Sequence, residues 1–193
     1  MGPQAPLLIV GGLVLLIGIW TIATYNVLVR LRQQCRESWS GIDTELRRRY
    51  DLIPNLVSAV KGYAAHERDV FQTVTEARTR AQASTGSPQS QARDENVLVD
   101  GIKQLFAVSE AYPDLRASES FLQLQNELAN TEDRIQAARR FYNANVRELN
   151  TRIQVFPSNL IASTFGFQEE EFFEIEELAR AVPEVDFGRR DAA

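Results

Sequence analysis

The residues with catalytic potential are few, and the most suggestive lie in "HERDV", His66 to Val70. A zinc helix of the HExxH type needs two imidazoles one turn apart, so that both reach one metal, and Val70 stands where the second would be. His66 is the sole histidine, so neither a Ser-His-Asp triad nor a Cys-His pair can be assembled around it. One cysteine, Cys35, and one histidine cannot make a Cys/His zinc cage, and Cys35 has no partner for an internal disulfide. No GxxxxGK[ST] or GxGxxG loop offers a phosphate cradle. What remains is carboxylates, as in Glu169, Glu170 and Glu171, and such runs usually form solvated faces. The expectation is a chain with no catalytic residue, no cofactor, no metal and no small-molecule substrate.

The elements that would have to position any chemistry are all helical. From Met1 to Val29 no side chain is charged at pH 7, and Leu7 to Val29 forms one apolar run. At about 1.5 Å per residue that run reaches roughly 35 Å, enough for a hydrocarbon core of about 30 Å with some tilt. It reads as a transmembrane helix rather than a cleaved leader, because it lacks a basic n-region and a convincing small-x-small site. Trp20 and Tyr25 fall toward its C-terminal end, where amphipathic rings favour the headgroup level. Arg30, Arg32 and Arg36 follow at once, so the positive-inside bias leaves a short N-terminus outside and the body in the cytosol. The expected location is the inner (cytoplasmic) membrane, with a single pass.

Beyond the span the period becomes amphipathic. Leu28, Leu31, Cys35, Trp39, Ile42, Leu46, Tyr50 and Ile53 recur every three or four residues and make one inward stripe. Cys35 lies on that stripe and reads as a small buried apolar residue. The run "RRYDLIPNLVSAVKGYAAHE", Arg48 to Glu67, is read as a corner: the first helix ends near Asp51 and Pro54 opens a second. One continuous, kinked helix is the alternative. The second helix carries Leu56, Val60, Tyr63, Val70, Val74 and Ala77, and Ser84 to Gln91, "STGSPQSQ", reads as a loop. A third run has Leu98, Ile102, Leu105 and Phe106 and stops near Tyr112-Pro113. The fourth, expected from Ser118 to Val155, keeps a heptad seam through Phe121, Leu124, Leu128, Thr131, Ile135, Ala138, Tyr142, Asn145 and Leu149.

Pro157 closes that helix, Gly166 marks a turn, and the acidic amphipathic piece from Gln168, with Phe172, Phe173, Ile175 and Leu178, is expected to dock on its own bundle, with a partner as the alternative. The fold class is all-α, an N-terminal transmembrane helix followed by an antiparallel bundle of about four long helices. Three regions follow: residues 1–29 as short external N-terminus and transmembrane helix, 30–167 as cytosolic helical bundle, and 168–193 as acidic amphipathic segment and flexible tail.

Four polar residues stand out as candidate seam or interaction positions: Asn55, His66, Glu67 and Asn145. Glu67 falls on the expected stripe of the second helix, seven residues from both Val60 and Val74, and Asn145 falls on the fourth seam. Polar groups there cost stability and fix register or partner choice. Arg47, Arg48 and Arg49 stand some 30 Å beyond the membrane edge by helical rise, past the reach of its screened potential. They are expected to pair with the acidic body instead. A net charge of -5 and a pI near 5.1 leave no basic surplus for nucleic acid.

Long blocks of this sequence, "YNVLVRLRQQCRESWSGIDTELRRRYDLIPNLVSAVKGYAAHE" and "RRFYNANVRELNTRIQVFPSNLIASTFGF" with "AYPDLRAS" and "EDRIQAARR", closely resemble the LemA family of bacterial membrane proteins. The resemblance implies one N-terminal membrane helix and a cytosolic antiparallel bundle. It brings no catalytic residues and no assigned enzymatic activity. Taken together, the residues and the resemblance point to a membrane-anchored, non-enzymatic scaffold or adaptor, with the lipid bilayer and protein partners or further copies of itself as ligands. The alternatives are an accessory subunit of a membrane protease or transport complex, and a carboxylate-dependent hydrolase.

Overall fold

A computed structural model describes residues 5–176 and Leu178. Its helices are α1 (Ala5–Lys61), α2 (Arg68–Ala83), α3 (Pro88–Glu110), α4 (Pro113–Arg116), α5 (Glu119–Gln154) and α6 (Ser158–Thr164), and no strand occurs among the described residues. α1 and α5 lie side by side along most of their length, and α2 and α3 form a shorter hairpin against the half of α1 nearer its C-terminus. The expected all-α fold, with a long apolar first helix followed by packed helices, is what the chain adopts.

The first helix corrects the sequence reading. Asp51 is not its end and Pro54 opens nothing: α1 runs on to Lys61, and the corner falls at residues 62–67. A proline inside a helix removes the N–H that would bond the carbonyl four residues back, here that of Tyr50. Arg78 of α2 supplies the missing donor, with its Nε 2.6 Å from the Tyr50 oxygen. The orphaned carbonyl thus becomes a tie between α1 and α2. Replacing Arg78 by Ala is expected to cost about 1.5–3 kcal/mol, the range for a hydrogen bond from a charged donor. In a Pro54→Ala background the backbone partner returns, so the cost of Arg78→Ala should shrink; denaturant unfolding of the four proteins of this cycle measures the coupling.

The inward stripe of α1 appears as expected, with Leu28, Leu31, Cys35, Ile42, Leu46, Tyr50 and Ile53 all buried and Leu56 and Val60 continuing it. The Cys35 thiol is pushed up to about 11 by burial and then by nearby Glu170, so it behaves as core rather than as a nucleophile. Because Leu56 and Val60 belong to α1, the second helix presents Phe71, Val74, Ala77 and Ala81 instead, and Tyr63 is exposed in the turn. Gly101 lets α3 approach α2 closely, since a Cβ there would lie 3.3 Å from a Val74 methyl.

The loop after α2 is shorter than expected. Ser87 caps α3, accepting from the Ser90 N–H at 3.4 Å, and Pro88 takes the first helical position, where its missing N–H costs nothing. α5 covers the predicted interval, with Ser118 and Val155 as its caps. At its far end the chain turns through a cis Phe156–Pro157 bond into α6, and Gly166, at φ 69°, closes that helix in a conformation that favours glycine.

Residues 167–176 then run back as an extended strap along α5 and α1. The acidic piece docks on its own bundle, with Phe173 and Ile175 buried. An extended segment with no neighbouring strand needs other partners for its backbone groups, and asparagine, which carries both a donor and an acceptor, can imitate one. Asn150 accepts from the Glu170 N–H and donates to the Glu170 carbonyl, both at 2.9 Å. Asn143, seven residues earlier on the same helix face, does the same for Phe173, at 2.9 and 3.0 Å. Asn96 of α3 accepts from Glu176 at 2.8 Å. The flexible tail expected at the C-terminus lies outside the described residues.

Candidate functional site

The most unusual chemistry in the molecule is a buried charge cluster where α1, α3 and α5 meet. Arg49 is completely buried. Its Nη1 donates to both carboxylate oxygens of Glu132 on α5, at 2.6 and 3.0 Å, and its Nη2 donates to Glu95 on α3. Tyr50 donates its hydroxyl to the other oxygen of Glu95. One guanidinium therefore clamps three helices, using the planar fork that suits carboxylates.

The cluster holds one cation against two carboxyl groups in a space that excludes water. Burial alone would lower the Arg49 pKa, and the adjacent Glu132 and Glu95 more than offset it. Glu132 is held above the usual carboxylate range, chiefly by desolvation, despite the opposing pull of Arg49. The Tyr50 phenol is pushed far up by burial and by Glu95. Arg49 is the counter-charge that opposes the desolvation of Glu132 in this dry site. Removing one leaves the rest exposed to the full cost of burial.

An open cleft of about 530 Å³ lies beside this cluster, between Trp39, Asp43 and Tyr50 of α1, residues 84–86 after α2, and Gln91 of α3. Tyr50 and Gln91 are themselves buried, so they form its floor, one step from Glu95. The lining contains no histidine or cysteine. It offers hydrogen-bonding groups and the edge of Trp39. No group of three His, Cys, Asp or Glu side chains that could hold a metal ion occurs among the described residues.

The candidates named from sequence scatter. Asn55 is exposed on α1 and His66 is exposed in the turn after it. Glu67 is corrected: with α1 extended through Lys61, it sits at the N-cap of α2 rather than on an apolar stripe, and its side chain makes no capping bond. Asn145 is half-buried on α5, with an amide nitrogen that has no partner among the described residues. Trp20 and Tyr25 lie on the exposed part of α1, Arg30 and Arg36 are exposed, and Arg32 lies 4.9 Å from the centre of the Phe167 ring. Of the three consecutive arginines, Arg47 and Arg48 pair within α1, with Asp43 at 2.9 Å and Glu45 at 3.3 Å, and only Arg49 reaches other helices.

Glu95 and Glu132 are not among the sequence candidates, yet the sequence carries a signal for both. Glu95 lies three residues before Leu98 on the stripe Leu98, Ile102 and Leu105. Glu132 adjoins Thr131 and lies between Leu128 and Ile135 on the α5 seam. Both are carboxylates on apolar faces, the same criterion that singled out Glu67.

A helical bundle built around a buried arginine clamp and carried on one long N-terminal helix defines the class: an all-α protein with a membrane-length apolar helix. A sequence model of the LemA family matches residues 38–187, and the chain belongs to that family. Magnetosome protein MamQ 2 of Paramagnetospirillum magneticum is 26% identical over 199 residues, covering 90% of this chain and 73% of that protein. Magnetosome protein MamQ of Magnetospirillum gryphiswaldense is 25% identical, with 89% and 73% covered. Protein LemA of Metamycoplasma hominis is 25% identical, with 86% and 78% covered. None of these names is that of an enzyme.

Proposed function

We propose that this protein is a membrane-anchored, non-enzymatic scaffold or adaptor that holds a helical surface at the cytosolic face of a bilayer. The observation that carries the reading is the continuity of α1. Its apolar part is exposed, with Ile9 at 70% and Ile22 at 64%, and from Leu28 the same unbroken helix becomes the core of the bundle. Such a helix joins the bundle to the membrane without a hinge. Relatives named for the magnetosome rather than for a reaction support a non-enzymatic role. Arg30 and Arg36, exposed just past the apolar run, support a cytosolic body by the positive-inside bias.

Crosslinking of the full chain in native membranes, followed by mass spectrometry, tests the scaffold role. Links from the bundle to other proteins or to further copies are expected. A chain that gives only internal links, and is monomeric in mild detergent, overturns it. For orientation, a C-terminal tag on cells stripped of their outer envelope should survive external protease, and its prompt loss would overturn the cytosolic assignment.

A further inference from the structure

The end of α5 and the turn into α6 leave a group of large apolar side chains uncovered: Val155 at 45%, Phe156 at 79%, Leu160 at 54% and Phe165 at 54% exposure. α6 has an inner side, with Ile161 and Ala162 buried, so Leu160 and Phe165 are not unused core but a second, outward surface. The position of this group follows from α1. The Phe165 ring packs on Tyr25, with centroids 4.9 Å apart, and Phe167 packs on the same ring at 5.8 Å. Thr21 and Thr24 are half-buried, whereas Ile17, Ile19 and Ile22 around them are exposed, so the bundle reaches at least to the level of Thr21.

Measured from Ile9 by helical rise, Thr21 and Tyr25 stand about 18 and 24 Å along α1, inside a hydrocarbon layer of about 30 Å. α5 runs antiparallel to α1, so its C-terminal tip is the part of the bundle that points toward the apolar segment.

We infer that the α5–α6 tip is a second membrane contact, a wedge that inserts Phe156, Leu160 and Phe165 into the leaflet on the body's side, beside the spanning helix. This rests on the reading of α1 as a membrane span, and the occupant is lipid because the patch continues the apolar surface of that helix at the same level. Exposed Arg30 on α1 and Arg152 on α5, four residues before Phe156, flank the patch and suit anionic headgroups. The span and the wedge together fix the tilt of the bundle on the membrane, which a single helix alone does not.

The test uses the full chain in a Cys35→Ala background, with single cysteines from Leu16→Cys, Leu160→Cys and Ala65→Cys, each carrying an environment-sensitive fluorophore. The vesicles contain phosphatidylcholine and phosphatidylglycerol in equal parts, with a minor fraction of nitroxide on the acyl chains. Leu16 reports the span, Leu160 the wedge, and Ala65 the turn at the opposite end of the bundle. Quenching at Leu160 of at least about half that at Leu16, with none at Ala65, is the expected result for an inserted tip. Quenching at Leu16 with none at Leu160 overturns the wedge and leaves the span standing. No quenching at either position removes the span reading and the wedge with it. A Leu160 label shielded from aqueous iodide but untouched by the lipid nitroxide indicates a protein contact and also overturns the wedge.

Discussion

Replacing Arg49 by Met is expected to destabilise the bundle by about 3–5 kcal/mol, the cost of breaking a buried ion network by removing one member. Met fills much of the same volume, so the loss is one of charge rather than of packing. Glu95 and Glu132 would then share a dry site with no cation between them. Like charges in such a place raise each other's pKa, and desolvation already holds Glu132 above its ordinary value with Arg49 present. The sign of the pH dependence follows. A carboxyl group whose folded pKa lies above its unfolded value, 4.5 for Glu132, favours the fold while both states are protonated. That contribution is lost as pH rises through the folded value. The variant should therefore be nearest to the parent in stability at or below about pH 4.5 and fall behind it toward neutrality. Denaturant unfolding at several pH values measures this, and a deficit that does not grow with pH would falsify the charge account. Arg49→Lys should rescue only partly, because an ammonium cannot fork between two carboxylates.

What the sequence made legible, and what it hid, separates along physical lines. The α1 stripe and the α5 seam are long periodic signals: the stripe from Leu28 to Ile53 faces the core, and α5 covers its expected interval. Pro54 is misleading because the local proline rule takes no account of a partner distant in the chain. The rule that proline orphans the Tyr50 carbonyl holds; the orphan is satisfied by Arg78, 28 residues away in the chain. Misplacing that corner moved Leu56 and Val60 to the wrong helix and carried Glu67 onto a stripe that does not exist. The charge cluster was hidden for a different reason. Arg49 looked like one of three similar arginines, and only the packing of α3 and α5 separates it from Arg47 and Arg48, whose partners lie within one turn of α1. Asn145 falls on the seam, whereas the α5 asparagines that hold the strap are Asn143 and Asn150, seven residues apart. A heptad-spaced Asn pair carries that information only once an extended segment is known to lie across it.

The strap gives the second large expected effect. Phe173 is fully buried and meets Trp39 edge-on, with ring centroids 5.2 Å apart, while Trp39 also packs at a tilt against Tyr142 at 5.2 Å. Truncating a buried phenylalanine to alanine generally costs about 3–5 kcal/mol. Here the strap is joined to the bundle by side-chain amides rather than by a sheet, so the loss need not spread through the helices. Phe173→Ala is expected to release residues 168–176 as a unit, because the asparagine bonds depend on the backbone position that the ring fixes. In hydrogen exchange the amides of Glu170, Phe173 and Glu176, which donate to Asn150, Asn143 and Asn96, should lose most of their protection. The α1–α5 amides near Ile42 and Ile135 should keep theirs. Release would also uncover Trp39, which lines the cleft, and detach Glu171, whose carboxylate is held below its usual range by Ser87 and by the Gln89 N–H at the start of α3. The same ring thus joins the strap to the wall of the cleft through Trp39. Unchanged protection of the Glu170 and Phe173 amides in the variant would mean that the asparagine ladder holds the strap without the ring.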